Sequence, residues 1–235
     1  MSGAPYILML LVPAEHATLP SARVNLCWTP VTGGDDTEIW SVHPASCTDE
    51  ERETWRRAEQ LGEDVPLVHL ERLPLDQRHV PLAGHTLFRL SLSTSLRRTV
   101  PTAPRAWALA MQVVGALEVT FAWSTPEEAL NSRWAGQEPP WQQVHPTLIF
   151  HEAFLERLHL DPLNLDDIAG GGNVFRLQHS ASHWLIQAPE GLGNESAAMQ
   201  DTPGTVDNAL AFALQRVTSQ HDGAVRQWLR GAHTP

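Results

Sequence analysis

Hydrophobic residues near the start of the chain recur in two different ways. Tyr6–Val12 is apolar at every position (YILMLLV), which predicts a strand covered on both faces. Val24, Leu26 and Trp28 instead alternate with Asn25 and Cys27, the pattern of a strand with one buried face. Gly33-Gly34-Asp35-Asp36 turns the chain, and Glu38–Val42 is expected to return as a third strand. Thr48 and Glu51 then form a capping box, in which hydroxyl and carboxylate each satisfy a backbone N–H at a helix start. A charged helix is expected over Asp49–Leu61.

Val65–Leu73 and His85–Ser93 are further expected strands, joined by a proline-bearing connection. Pro104 suits the first turn of a helix, where its missing N–H has no partner to lose. The helix Arg105–Leu117 is apolar nearly all round and should be deeply buried. Glu118–Trp123 is expected as a strand, and Thr125, Pro126 and Glu128 as the start of another helix. Thr147–His159 is expected to be helical. Asp161-Pro162 should cap a short helix that stops at Gly170-Gly171-Gly172. Asn173–His179 and His183–Ala188 are expected to pair as a hairpin around Ser180-Ala181-Ser182. Glu190–Gly204 is a polar loop, and the helices Thr205–Ser219 and Asp222–Arg230 follow it.

Strands adjacent in sequence, mixed with unevenly spaced helices, predict an α+β fold. The expected architecture is a mixed, mainly antiparallel sheet with helices packed on it and a helical C-terminus. One domain is expected over residues 1–235, and the proline-rich Gln137–Pro146 marks where a sub-domain boundary near 137–146 would fall. There is no internal repeat.

Composition narrows the chemistry. All 16 basic residues are arginine. Without lysine there is no Schiff base to a carbonyl or pyridoxal phosphate, and no P-loop or kinase-type phosphate lysine. A net charge of −11 disfavours general attraction to nucleic acid or anionic membrane. Two cysteines, Cys27 and Cys47, are too few for a disulfide scaffold and are expected to be reduced, as in a cytoplasmic protein. The run Tyr6–Val12 is too short to span a bilayer.

The strongest positive signal is an uneven charge distribution. No acidic residue occurs from Gln77 to Leu117, a stretch that holds Arg78, Arg89, Arg97, Arg98 and Arg105. Arg97-Arg98 lies in a Ser/Thr-rich segment, and arginine's planar fork suits carboxylate and phosphate. Arg89, Arg97, Arg98 and Arg105 are therefore the expected binding residues. Trp141 joins them as an aromatic anchor in the proline-rich segment. The competing expectation is that these arginines pair internally with the acid-rich Asp35–Asp64.

Other constellations are weaker. His179 and His183 flank the hairpin turn and would offer two imidazoles to a transition metal, half of a site. Glu152, Glu156 and His159 share a helical face, but the second copy that a di-iron site requires is missing. The triple glycine follows a helix, the reverse of a phosphate-cradling loop. No G-x-S-x-G elbow is present. The leading expectation is an acidic interaction protein. Its arginine patch would dock an acidic partner, a second copy of itself, or a phosphate-bearing ligand, with no cofactor. One alternative is a hydrolase whose site assembles only in the fold, with several of His145, His151, His179 and His183 meeting a carboxylate. Another is a nucleic-acid binder using the same arginines.

Overall fold

The computed structural model describes residues 6–17, 25–31, 38–73, 84–92, 104–125, 147–164, 174–177 and 180–187. Its strands are β1 (Tyr6–Pro13), β2 (Leu26–Pro30), β3 (Ile39–Pro44), β4 (Val68–Leu73), β5 (His85–Leu92), β6 (Phe121–Thr125), β7 (Thr147–His151), β8 (Val174–Arg176) and β9 (His183–Gln187). The helices are α1 (Asp49–Gln60), α2 (Pro104–Ala116) and α3 (Glu152–Arg157). The strands form one sheet in the order β2-β3-β4-β5-β1-β6-β7-β9-β8. Every ladder among the described residues is antiparallel. The fold is α+β. Its expected C-terminal helices and the segment 137–146 lie outside the described residues. No helix among them is long and apolar enough to cross a membrane.

The central strand is the one the apolar run predicts. β1 sits between β5 and β6 and is buried on both faces. Leu8, Leu10 and Val12 point to one face, where they join Val42, Val68, Leu70, Phe88, Leu90, Ala122 and Ile149. Helix α2 covers that face with Leu109, Ala110, Val113 and Val114. Each large apolar side chain so buried stabilises the fold by about 1.5–3 kcal/mol. Asp64 caps α2 from the α1–β4 connection, accepting the Arg105 and Ala106 N–H groups at 3.0 Å each. Pro104 needs no such partner, as expected of a first-turn proline.

The opposite face is divided. Ile7, Met9 and Leu11 of β1 meet Phe121, Trp123, Leu148 and Phe150, and α3 covers them with Phe154 and Leu155. From β5 back to β2 the same face turns polar. Strand register fixes this, because directly opposed residues share a face. Thr29 stands opposite Ser41, Ser41 opposite His69, and His69 opposite Ser91. A neighbouring row pairs Cys27 with His43, and another pairs Glu71 with Arg89. Helix α1 serves this polar half, and none of its residues is buried.

One expectation is corrected. Thr147–His159 is not one helix: Thr147–His151 is strand β7, and only Glu152–Arg157 is helical. The run Thr147–Phe150 is buried throughout, and a short, fully buried run does not distinguish strand from helix by periodicity. His151 makes the join. It ends β7 and caps α3, its Nδ1 accepting the Ala153 N–H at 3.1 Å.

Candidate functional site

The polar half-face and the helix beside it border an open cleft of about 330 Å³. Pro30, Val31, Ser41, Arg56, Glu59, Gln60 and His69 line it. Each is placed by a local rule. Ser41 lies on the β3 face opposite to Val42, and His69 on the β4 face opposite to Val68 and Leu70, so burial of those apolar neighbours turns the polar pair to the cleft. Arg56, Glu59 and Gln60 fall three to four residues apart, on one side of α1.

The geometry is specific. His69 Nε2 donates to Glu59 Oε1 at 2.9 Å, and the Glu59 side chain is only 13% exposed. That bond assigns the proton to Nε2 and leaves the Nδ1 lone pair as an acceptor. Ser41 stands directly across the strands from His69. It is 2% exposed, and its hydroxyl has no hydrogen-bond partner among the described residues. A buried hydroxyl left unpaired costs about 1–3 kcal/mol. Arg56 is half exposed, with a loose contact to Glu53 at 3.8 Å. The cleft therefore offers a cation, an unused hydroxyl and an imidazole acceptor.

Next to it is a hydrogen-bonded chain of three residues. Cys47 Sγ lies 3.0 Å from His43 Nδ1, and His43 Nε2 lies 3.1 Å from Thr29 Oγ1. The Pro44 carbonyl oxygen is 3.2 Å from Nδ1. Burial lowers the His43 pKa, the Pro44 carbonyl opposes this, and Arg52 and Arg56 lower it further. Burial also raises the Cys47 pKa, with Arg52 opposing and Cys27 and Glu51 adding to the rise. Thiol and imidazole thus rest neutral.

The residues singled out in the sequence are dispersed. Arg97, Arg98, Trp141, His145 and His179 lie outside the described residues. Arg89 ion-pairs with Glu71 across the β4–β5 ladder, and both side chains are largely covered. Arg105 is exposed, and its backbone N–H is the group that Asp64 caps. Glu152 pairs with Arg176, and Glu156 and His159 are exposed around the end of short α3.

His183 does sit in a hairpin, β8 pairing with β9, but its surroundings are those of a structural residue. It is fully buried, and Nε2 donates to the Val119 carbonyl at 2.8 Å. The Ser180 hydroxyl donates to Nδ1. Both ring nitrogens are occupied, so no lone pair is left for a metal. The rings of His151 and His183 meet edge to face at 4.9 Å. Burial lowers both pKa values, that of His183 to about 4. Among the described residues no three His, Cys, Asp or Glu side chains converge in a way that could hold a metal ion.

Sequence reasoning missed Ser41, Glu59 and His69, and it missed the contact of His43 with Cys47. A signal was present: Ser41 and His43 are the polar positions of a strand whose other face, Trp40 and Val42, is apolar. It identifies a polar strand face but not its partners, which strand register supplies.

No protein-family model matches this chain, and no curated protein does. Among solved structures, the chain is similar to the Pseudomonas aeruginosa T6SS protein PA0821. The match has 11% sequence identity and a TM-score of 0.43, and covers 96% of this chain and 83% of that one. At that level the likeness carries no argument about function.

Proposed function

We propose that this chain is a cytoplasmic binding protein that docks an acidic segment of a partner protein, with the α1 cleft taking up a carboxylate. The observation that carries this reading is Ser41, a buried hydroxyl without a partner among the described residues, in a cleft that Arg56 also lines. Ser41 and Arg56 can both donate to a carboxylate, and the His69 Nδ1 can accept from a neighbouring amide N–H. Arg105, exposed at the start of α2, and Arg97 and Arg98 are a separate expectation for acid binding that rests on the sequence. Arg89 contributes less, because Glu71 already neutralises it.

The test is a tryptophan-fluorescence titration with a glutamate-rich decapeptide and its glutamine counterpart at low salt. Saturable binding of the acidic peptide alone, lost in Arg56→Glu and weakened in the Arg97→Glu, Arg98→Glu, Arg105→Glu triple variant, supports the reading. Equal binding of both peptides, or full binding by Arg56→Glu, overturns it. Self-association would appear as a concentration-dependent mass without peptide, and a phosphate ligand as competition by inorganic phosphate.

A second reading, hydrolysis, is favoured by one arrangement. Glu59 orients His69, and Ser41 lies opposite His69 in the same cleft, so acid, base and hydroxyl share a site. Turnover of p-nitrophenyl acetate that disappears in both Ser41→Ala and His69→Ala would favour it over binding.

A further inference from the structure

The two cysteines of the chain come together at one imidazole, and neither takes part in the cleft. Cys27 of β2 stands directly opposite His43 of β3, so their side chains share the polar face. Cys47 reaches the same ring from the β3–α1 connection, its Sγ 3.0 Å from His43 Nδ1. The turn that brings it there is closed by the Cys47 N–H, which donates to the Pro44 carbonyl at 3.2 Å. The Ala45 N–H pins that turn to the start of β2 by donating to the Asn25 carbonyl at 2.7 Å. Pro44 stands opposite Leu26, the chain neighbour of Cys27. Both thiols are free, and both are partly covered.

His43 is a fixed wall of this site and not a reactant. Its Nδ1–H donates to the Pro44 carbonyl at 3.2 Å, with the Cys47 sulfur as a second, weak acceptor, and its Nε2 accepts the Thr29 hydroxyl at 3.1 Å. Burial raises the Cys47 pKa, Arg52 opposes this, and Cys27 adds to the rise, so the charge of one sulfur is felt at the other.

We propose that Cys27 and Cys47 form a reversible disulfide, a clasp between β2 and the start of α1. Bridged cysteines have Cα atoms about 4.4–6.8 Å apart. Hydrogen-bonded strand partners such as Cys27 and His43 are about 5.5 Å apart, and a four-residue turn keeps its ends within about 7 Å. The Pro44–Cys47 turn therefore returns Cys47 toward Cys27, and closure needs only a small movement of that turn. The place gives the bond its consequence. Cys47 directly precedes Thr48, the N-cap of α1, and α1 supplies Arg56, Glu59 and Gln60 to the cleft. β2 ends at Pro30, and Pro30 and Val31 line the cleft as well. The bridge would join these two walls covalently.

The oxidant is a small disulfide of the glutathione type. One protein thiol loses its proton to solvent, and the thiolate attacks glutathione disulfide, releasing one glutathione and leaving a mixed disulfide. The second protein thiol, deprotonated in turn, displaces the other glutathione. Two thiols thus lose two protons and two electrons, and one glutathione disulfide becomes two glutathione thiols. A neighbouring thiol acts at an effective concentration of about millimolar or more, so the second step outruns a second attack by free glutathione disulfide.

The experiment equilibrates the folded full chain with glutathione buffers of increasing disulfide content. N-ethylmaleimide then traps free thiols, and intact mass is read. The reduced chain takes two labels and the bridged chain none. Cleavage at glutamate cuts between the two cysteines at Glu38, and the two fragments should stay joined until reductant is added. The bridged form should exceed glutathione adducts by about tenfold or more, and its equilibrium constant against glutathione should be at least about tenfold larger in the folded chain than in urea. Its Tm should lie about 5 °C or more above that of the reduced chain. Cys27→Ser and Cys47→Ser should each take up a single glutathione and keep it. Mainly glutathione adducts, bridges between chains, a constant no larger than in urea, or a bridged chain that melts no higher than the reduced one overturns the proposal. None of these readouts involves an acidic peptide or Arg56, so this proposal and the docking reading fail separately.

Discussion

Lowering the pH from 7 to 4 should destabilise this fold, and His183 should set a large part of the amount. Its imidazole is fully buried between the Val119 carbonyl and the Ser180 hydroxyl, facing the ring of His151. Burial lowers its pKa from 6.5 to about 4. In the unfolded chain the same group titrates near 6.5. Between these values the unfolded state binds the proton and the folded state does not, so stability falls as pH falls through the window. At about 1.4 kcal/mol per tenfold change in proton affinity, the loss is roughly 3 kcal/mol by pH 4. His151 and His43 are lowered in the same direction and add to it. Urea denaturation at pH 7, 6, 5 and 4.5 measures the total, and His183→Gln isolates the share of His183. Glutamine's amide can still donate to the Val119 carbonyl but does not titrate. The variant should be less stable at pH 7 and should lose less on acidification. Parallel pH dependences for wild type and His183→Gln would refute the reasoning.

Three further outcomes follow from the same geometry. Ser41→Ala should raise the unfolding free energy by about 1 kcal/mol, because it removes an unpaired buried hydroxyl; a loss of stability in urea melts would mean the hydroxyl is bonded. Asp64→Ala should lower it by about 1 kcal/mol by exposing the Arg105 and Ala106 N–H groups at the start of α2, and Asp64→Asn should recover part of the loss. Arg89→Met should destabilise by about 2 kcal/mol by leaving Glu71 covered and uncompensated, and adding Glu71→Leu should restore most of it; additive losses in the double variant would show that the ion pair does not couple them.

The legible parts of this fold are those whose cause is local. Seven consecutive apolar residues require cover on both faces, and β1 is the central strand. Thr48 and Glu51 make the reciprocal cap, with Glu51 Oε2 accepting the Thr48 N–H at 2.8 Å and Thr48 Oγ1 accepting the Glu51 N–H at 3.2 Å. A proline opens α2, and the apolar helix behind it is buried. Thr147–Phe150 was not legible because its cover comes from distant residues, β6 and β9 on either side. The same limit hid the site. His69 lies 28 positions beyond Ser41 in sequence and directly opposite it in space. Only the register of β3 on β4 brings them together. The acid-free stretch carried a local signal of charge, but charge counts do not reveal that Arg89 has Glu71 as its ladder neighbour.

The division of the second sheet face is the step that joins fold to function. An antiparallel sheet can leave half of a face polar without loss if that half meets water. Here it meets α1 instead, and the covered polar groups must find partners. Most do: His69 has Glu59, Arg89 has Glu71, and His43 has Thr29 and Cys47. Replacing this half by the leucines and phenylalanines found beside β1 would remove the unpaired Ser41 and bury more apolar area. A fold that already builds an apolar half of that kind under α3 does not lack the means. On the binding reading proposed above, the polar half under α1, where Ser41 has no partner among the described residues, is the part of the molecule that would meet the partner.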